Sequence, residues 1–205
     1  MHQSDPRFRT LHALRIKGFA PAEAVAEIAG LDPGDLGQHL ERLQAEELAI
    51  FRAARALWQL SPAGREVHAV ALADDVGRPG IQEGLAVAYG VFLDHNGAFK
   101  SLCTEWQVRG GEPNDHTDAA YDARLVAQLV ALDGRARHVV TMMSEVLVRI
   151  TPYGRRLERA CRAVQAGDTA KFTGVLCHSY HDVWMELHED LLLTLGIDRA
   201  AEGST

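Results

Sequence analysis

The chain has 205 residues, 47% of them apolar, with a formal net charge of −7, which is enough apolar material for one large folded domain or two small ones. No run of 18 or more apolar residues occurs and the first twenty positions carry polar and charged groups throughout, so neither a membrane span nor a secretory signal is expected and the expected compartment is the cytoplasm. Cys103, Cys161 and Cys177 form no C-x-x-C pair and sit within apolar patterns, the setting of reduced, mostly buried thiols.

Residues 7–17, RFRTLHALRIK, place Phe8, Leu11, Leu14 and Ile16 on one side and stop at Gly18, which predicts a first helix. Pro21 opens a second, with Val25 and Ile28 facing the first, and Gly30 with the Leu31–Gly34 stretch makes the next turn. From Asp35 onward, Leu36, Leu40 and Leu43 recur at helical spacing while Gln38, His39 and Arg42 fall on the opposite, solvated side. That is the division expected of a helix that packs on one face and reads a partner with the other. Ala49–Arg52 and Ala56–Leu60 read as short strands around a turn at Ala53–Arg55, and Ser61-Pro62 supplies an N-cap followed by proline at the first helical position. His12, His39 and His68 read as partly exposed polar residues.

The run from Asp35 to Val67 resembles the winged helix of MarR-type regulators, in which a leucine-rich recognition helix and a short hairpin lead into a helix opened by a motif like LSPAGREV, here Leu60–Val67. The resemblance covers the first third of the chain. It implies a winged helix-turn-helix domain over residues 1–75 that binds double-stranded DNA, with Gln38, His39 and Arg42 in the major groove and Arg52 and Arg55 touching the minor groove or phosphates. Because such a domain reads a half-site, it also implies a homodimer. Charge stands against this: residues 1–75 hold eight Lys or Arg and eleven Asp or Glu, whereas DNA affinity draws on cations.

Residues 74–80, DDVGRPG, read as a domain boundary. Helical patterns follow over 81–108, 117–149 with a break at Gly134, 152–166 and 179–195, without strand-like alternation, so residues 81–200 are expected to form an all-α domain and the fold class is mainly α. A winged helix followed by a large helical domain resembles the layout of PadR or GntR regulators, which implies that the second domain dimerises or holds an effector. Residues 92–198, with HNGAFKSLCTEWQ, NDHTDAAYD and SYHDVWMELHEDLL, are also similar to a helical segment of some winged-helix regulators and of the tails of pyruvate, phosphate dikinase-like proteins. That likeness implies a sensing or docking module, since no dikinase catalytic part is present.

Within that domain, Ile81, Leu85, Ala88, Phe92, His95, Phe99, Leu102 and Trp106 recur at steps of three and four. This stripe places His95 in a core seam, where its ring must find a partner, and makes the helix the expected source of a dimer interface. Ser179 and Asp182 have capping-box spacing. In the helix they open, Tyr180, Trp184, Leu187, Leu191 and Leu195 face inward, Asp182, Glu186, Glu189 and Asp190 face away, and His181 and His188 lean toward the core. The Asn114–Asp118 loop brings His116 and carboxylates, with Asp115 or Thr117 as the next N-cap. His95, His116, Trp106, Tyr180, His181, Trp184 and His188 are therefore expected to line one semi-buried cavity for a small-molecule or ion effector. His95, His181 and His188 are the candidate ligands of a divalent transition metal such as zinc.

No GxSxG, P-loop, GxGxxG or HExxH motif occurs, and no enzyme is expected. Two readings stay open: a DNA-binding regulator, or a winged-helix protein that does not bind DNA and serves as a protein-interaction or ligand-sensing module. A basic face joining Arg7, Arg42, Arg52 and Arg55 favours the first, and their neutralisation by Asp35, Glu41 or Glu46 the second.

Overall fold

In the computed structural model, which describes residues 1–198, the chain is mainly helical with small antiparallel hairpins. Positions 199 and 200, the end of the expected helical domain, lie outside the described residues.

Helix α1 (Pro6–Lys17) starts where the Asp5 carboxylate accepts hydrogen bonds from the Arg7 and Phe8 amides, and ends at Gly18 with φ +70°. Helix α2 (Ala22–Ala29) closes on Gly30 in the left-handed region, where the Arg9 guanidinium donates to the Ala29 carbonyl at 3.1 Å. Helix α3 (Pro33–Ala45) begins two residues before Asp35, because Pro33 is already suited to a first helical turn. Strands β1 (Ala49–Arg52) and β2 (Leu57–Leu60) pair antiparallel in the register Ala49 with Leu60 and Phe51 with Trp58. Ala20 adds a third piece to this ribbon by exchanging both backbone hydrogen bonds with Trp58, at 3.1 and 2.8 Å. Leu11, Leu14, Val25, Ile28, Leu36, Leu40, Leu43 and Leu60 form the compact core beneath it.

Helix α4 (Pro62–Val76) opens at Ser61, whose hydroxyl accepts from the Gly64 amide and donates to the Glu47 carbonyl. Its start lies so close to the end of α3 that a Cβ on Gly64 would stand 2.0 Å from the Leu48 carbonyl oxygen. Gly64→Ala is therefore expected to destabilise the fold by at least the ~3 kcal/mol upper end of overpacking costs, since backbone must move to relieve the collision. A melting temperature within a degree or two of the parent would contradict this.

The second part comprises α5 (Ile81–Gln107), a two-residue-stranded hairpin of β3 (Val108–Arg109) and β4 (Glu112–Pro113), α6 (Ala119–Val146), a 3₁₀ turn at Val148–Ile150, α7 (Thr151–Gln165), the four-residue α8 (Ala170–Thr173) and α9 (Tyr180–Leu195). The β3–β4 hairpin and α8 were not expected; each is too short to show a period. Helix α6 runs through Gly134 unbroken, because flanking Leu132, Asp133 and Ala136 are buried and outweigh the ~1 kcal/mol that a mid-helix glycine costs. Its N-cap is Asp118, which accepts from the Tyr121 amide at 3.0 Å, while Asp115 instead holds the Thr117 amide.

The α5 stripe is consumed by the chain's own core with α6, α7 and α9, so it is not available as the expected dimer interface. Phe8 of α1 and Leu72 and Val76 of α4 belong to this larger core, which ties the N-terminal elements to the helical part. No described helix is long and apolar enough to cross a membrane.

Candidate functional site

Helix α3 buries Leu36, Leu40 and Leu43 and turns Gln38 and Arg42 to solvent, with His39 half-buried. Arg52 and Arg55 are exposed on the hairpin beside it. Arg52 rests on the Gln59 amide, 2.8 Å from its oxygen in the orientation that satisfies both groups. Among the described residues neither Arg42 nor Arg55 takes a carboxylate partner. Arg7 does: it pairs with Glu46, so it leaves the expected basic face. What remains is Arg42 exposed on α3 and Arg52 and Arg55 exposed on the hairpin, with Gln38 and His39 between Arg42 and the start of the helix.

The expected histidine cavity is not assembled. Around α5, His95 lies about 60° from Phe92 and Asn96 about 40° on the other side, so either residue could have entered the seam. Asn96 does: it is buried and accepts from the Trp184 indole at 2.9 Å, whereas His95 is only half-buried. Burial and the Arg135 charge hold the His95 pKa below the ordinary imidazole value. Helix α9 then lies antiparallel along α5 and distributes the remaining residues like rungs. Trp106 meets His116 and Phe172 at 4.5 Å, Phe99 meets Tyr180, His181 and Trp184, and His188 sits against Phe92 with its Nε2 3.5 Å from the Tyr89 hydroxyl.

The span from Tyr89 to Trp106 is about 25 Å at 1.5 Å per residue, too long for one ligand pocket to join. Nor do His95, His181 and His188 meet as the zinc ligands expected of them. Among the described residues no three His, Cys, Asp or Glu side chains are grouped to hold a metal ion. His116 instead pairs with Asp122 at 2.9 Å.

The densest polar cluster lies where the two cores meet. Arg149, in the 3₁₀ turn after α6, reaches Asp190 and Thr194 of α9, His12 Nε2 of α1 at 2.9 Å, and Asp75 of α4 at 3.6 Å. Asp190 also takes the Tyr153 hydroxyl at 3.1 Å and stands 3.0 Å from His12 Nε2. His12 Nδ1 is 2.9 Å from His68 Nε2, and the two imidazoles stack with Phe8. At the far side Asp75 holds His2 Nε2 at 2.6 Å and the Ser4 hydroxyl at 2.9 Å. His12, His68, Asp75, Arg149, Tyr153, Asp190 and Thr194 are all buried.

Sequence reasoning placed Asp190 on a solvated face and read His12 and His68 as partly exposed, whereas all three are buried. The acidic side of α9 is docked on α1, with Lys17 on Glu186 at 2.7 Å and Arg15 on Glu189 at 3.5 Å. A signal was present: His12 follows Phe8 by four, and His68 falls between Gly64 and Leu72 at steps of four, both at core spacing.

No family model, curated protein or solved structure matches the chain. What these residues can do is therefore set by their own chemistry. Burial would raise the Asp190 pKa, but the Arg149 charge and then His12 overcome it and hold the carboxyl well below its usual range. His12 is held below the ordinary imidazole range first by burial and then by Arg149, with Asp190 and Asp75 pulling the other way. His68 is pushed down to about 3 by burial first, then by the His12, Arg15 and Arg149 charges. A neutral imidazole pair thus fills the seam beside one shared ion pair. The junction joins α1 and α4, which carry the α3–hairpin unit, to α9 and the helical core.

Proposed function

We propose that the protein is a DNA-binding transcriptional regulator, with residues 1–75 as a MarR-like winged helix-turn-helix and the helical remainder as a sensing and dimerising domain in a cytoplasmic homodimer. The observation that carries this reading is the order α1–α2–α3–β1–β2–α4 with Ala20 bridged to the hairpin, together with an α3 face whose outward Arg42 and neighbouring hairpin Arg52 and Arg55 are not neutralised by carboxylates. An exposed cation on the helix and two on the hairpin suit base-edge contact by a helix in the major groove and phosphate contact by a hairpin. It is a binding reading and assigns no catalytic residue.

The second reading, a winged-helix module that binds another protein instead, is favoured by the Arg7–Glu46 pair and by the excess of acidic residues in the first 75. The two part on the salt dependence of duplex binding. Selection from a random duplex library is expected to enrich one two-fold sequence. Arg42→Ala should weaken binding to it by ~1–3 kcal/mol if it makes a bidentate base contact, whereas Arg52→Ala and Arg55→Ala should weaken all sequences alike and reduce the salt slope by about one each. No enriched sequence, or unchanged affinity on removing Arg42, ends the DNA reading and leaves the second.

A further inference from the structure

A second feature touches the hairpin and shares only Arg55 and Lys17 with the groups described above. The chain after α1, β2 and the segment joining α8 to α9 enclose an open cleft of about 550 Å³, within the size range of ligand pockets. Its walls are Phe19, Leu57 and Leu176, its rim carries Lys17, Arg55 and His178, and among the described residues no acidic side chain lines it. Phe19 is 61% exposed and Leu176 96% exposed, which leaves two large apolar side chains bare beside cations.

The segment that presents Leu176 is held in place. Leu176 and His178 both adopt the left-handed region, with φ +57° and +58°, a conformation that residues other than Gly, Asn and Asp rarely hold. One carboxylate imposes it: Asp182 accepts from the Leu176, Cys177 and Ser179 amides at 3.2, 2.9 and 3.3 Å, while the Ser179 hydroxyl donates to the Gly174 carbonyl. A strained backbone that displays an apolar side chain to water gains nothing for the fold, and such outliers gather at ligand clamps.

We propose that this cleft binds an amphipathic organic anion, its apolar body between Phe19, Leu57 and Leu176 and its anionic end on Arg55, with Lys17 and His178 beside it. Lys17 is already shared with Glu186, so Arg55 supplies the free charge. A further step rests on the DNA-binding reading: an occupied cleft takes Arg55 away from the duplex, so ligand and DNA oppose each other.

The test is a fluorescence titration of the full chain with 1-anilinonaphthalene-8-sulfonate and with its uncharged counterpart N-phenyl-1-naphthylamine. The sulfonate is expected to saturate near one per chain and to bind roughly 10-fold tighter than the neutral dye, the size of one charge-assisted contact. Leu176→Asp should abolish binding of both dyes. Arg55→Gln should weaken the sulfonate about 10-fold and remove the preference for charge. Both side chains are exposed, so neither variant threatens folding. Absence of saturable binding, equal affinity for the two dyes, or indifference to these substitutions overturns the site.

The DNA step is read separately. With a bound duplex in hand, saturating sulfonate should weaken it, and Arg42→Ala should weaken the duplex while keeping the dye. Unchanged duplex affinity overturns the opposition alone. Failure to bind any duplex ends the DNA reading while the dye titration still decides the cleft.

Discussion

Arg149→Leu is expected to lower the folding free energy by about 3–5 kcal/mol, the cost of breaking a buried ion pair by removing one partner. Among the described residues the guanidinium is the only Lys or Arg cation paired with both Asp190 and Asp75, and its Nη2 also serves Thr194. Without it two carboxylates remain in a desolvated seam, and His12 Nε2 loses its closest donor. The stacked position of Arg149 over the Phe8 ring, 5.9 Å from its centre, would be filled by leucine, so the loss is electrostatic more than steric. Urea unfolding measures it, and a cost under about 1 kcal/mol, typical of an exposed pair, would show that the junction is not a buried ion pair in solution. Arg149→Leu combined with Asp190→Leu should recover much of the loss, because exchanging both members of a buried pair for apolar residues is often neutral.

That junction also marks where sequence reading stops. The N-terminal elements were legible because their ends carry local chemistry: Gly18 and Gly30 at positive φ, Ser61 bonded to the Gly64 amide, and the leucine spacing of α3. The start of α9 was legible for the same reason, since Ser179 and Asp182 make both hydrogen bonds of a capping box. The burial of Asp190 was not. A helical wheel assigns an acidic side to water, and only the docking of α1, with Arg15 and Lys17 on that side, makes it an interface.

His95 and Asn96 show a different limit. The seam of α5 passes between them, and the choice was settled by the Trp184 indole on another helix, for which an amide oxygen is a ready acceptor. The α3 edge of Gln38, His39 and Arg42 was legible in its position, because opposite faces of one helix follow from spacing alone. Neutralisation by Glu46 was one of two open alternatives, and which arginine it would take was not legible, since Arg7 and Glu46 are 39 residues apart.

Acidification should destabilise the protein well above the range in which carboxylates titrate. His68 is 3% exposed and its pKa lies near 3 in the fold against an ordinary 6.5, so the unfolded chain takes up a proton below pH 6.5 that the folded chain refuses. A group depressed in this way contributes stability that is complete above its unfolded pKa and is lost as pH falls through the window down to its folded one. Each pH unit within that window costs ~1.4 kcal/mol for one such group, or about 2 kcal/mol between pH 6.5 and 5. His12, depressed in the same direction, adds a loss of the same sign, and so do the less buried His95 and His178. The stability that Asp190 contributes is intact until pH falls toward 3.8, its ordinary value, below which its depressed pKa steepens the decline.

Burial first, and then the charges facing the imidazole pair, explain why protonation is resisted. Arg149 and Arg15 approach it from two elements, and the carboxylates of Asp190 and Asp75 already share Arg149. His68→Gln keeps a polar group beside His12 Nδ1 but cannot take a proton. It should therefore be less stable than the parent at pH 7 yet lose less on going to pH 5, so that the two stability curves converge. Urea midpoints measured at pH 7, 6 and 5 decide it: parallel decline of the parent and His68→Gln would mean that His68 titrates alike in both states and does not sit in a dry seam. Convergence would locate the acid sensitivity at the seam between α1 and α4, one contact away from the ion pair that joins the α3–hairpin unit to the helical core.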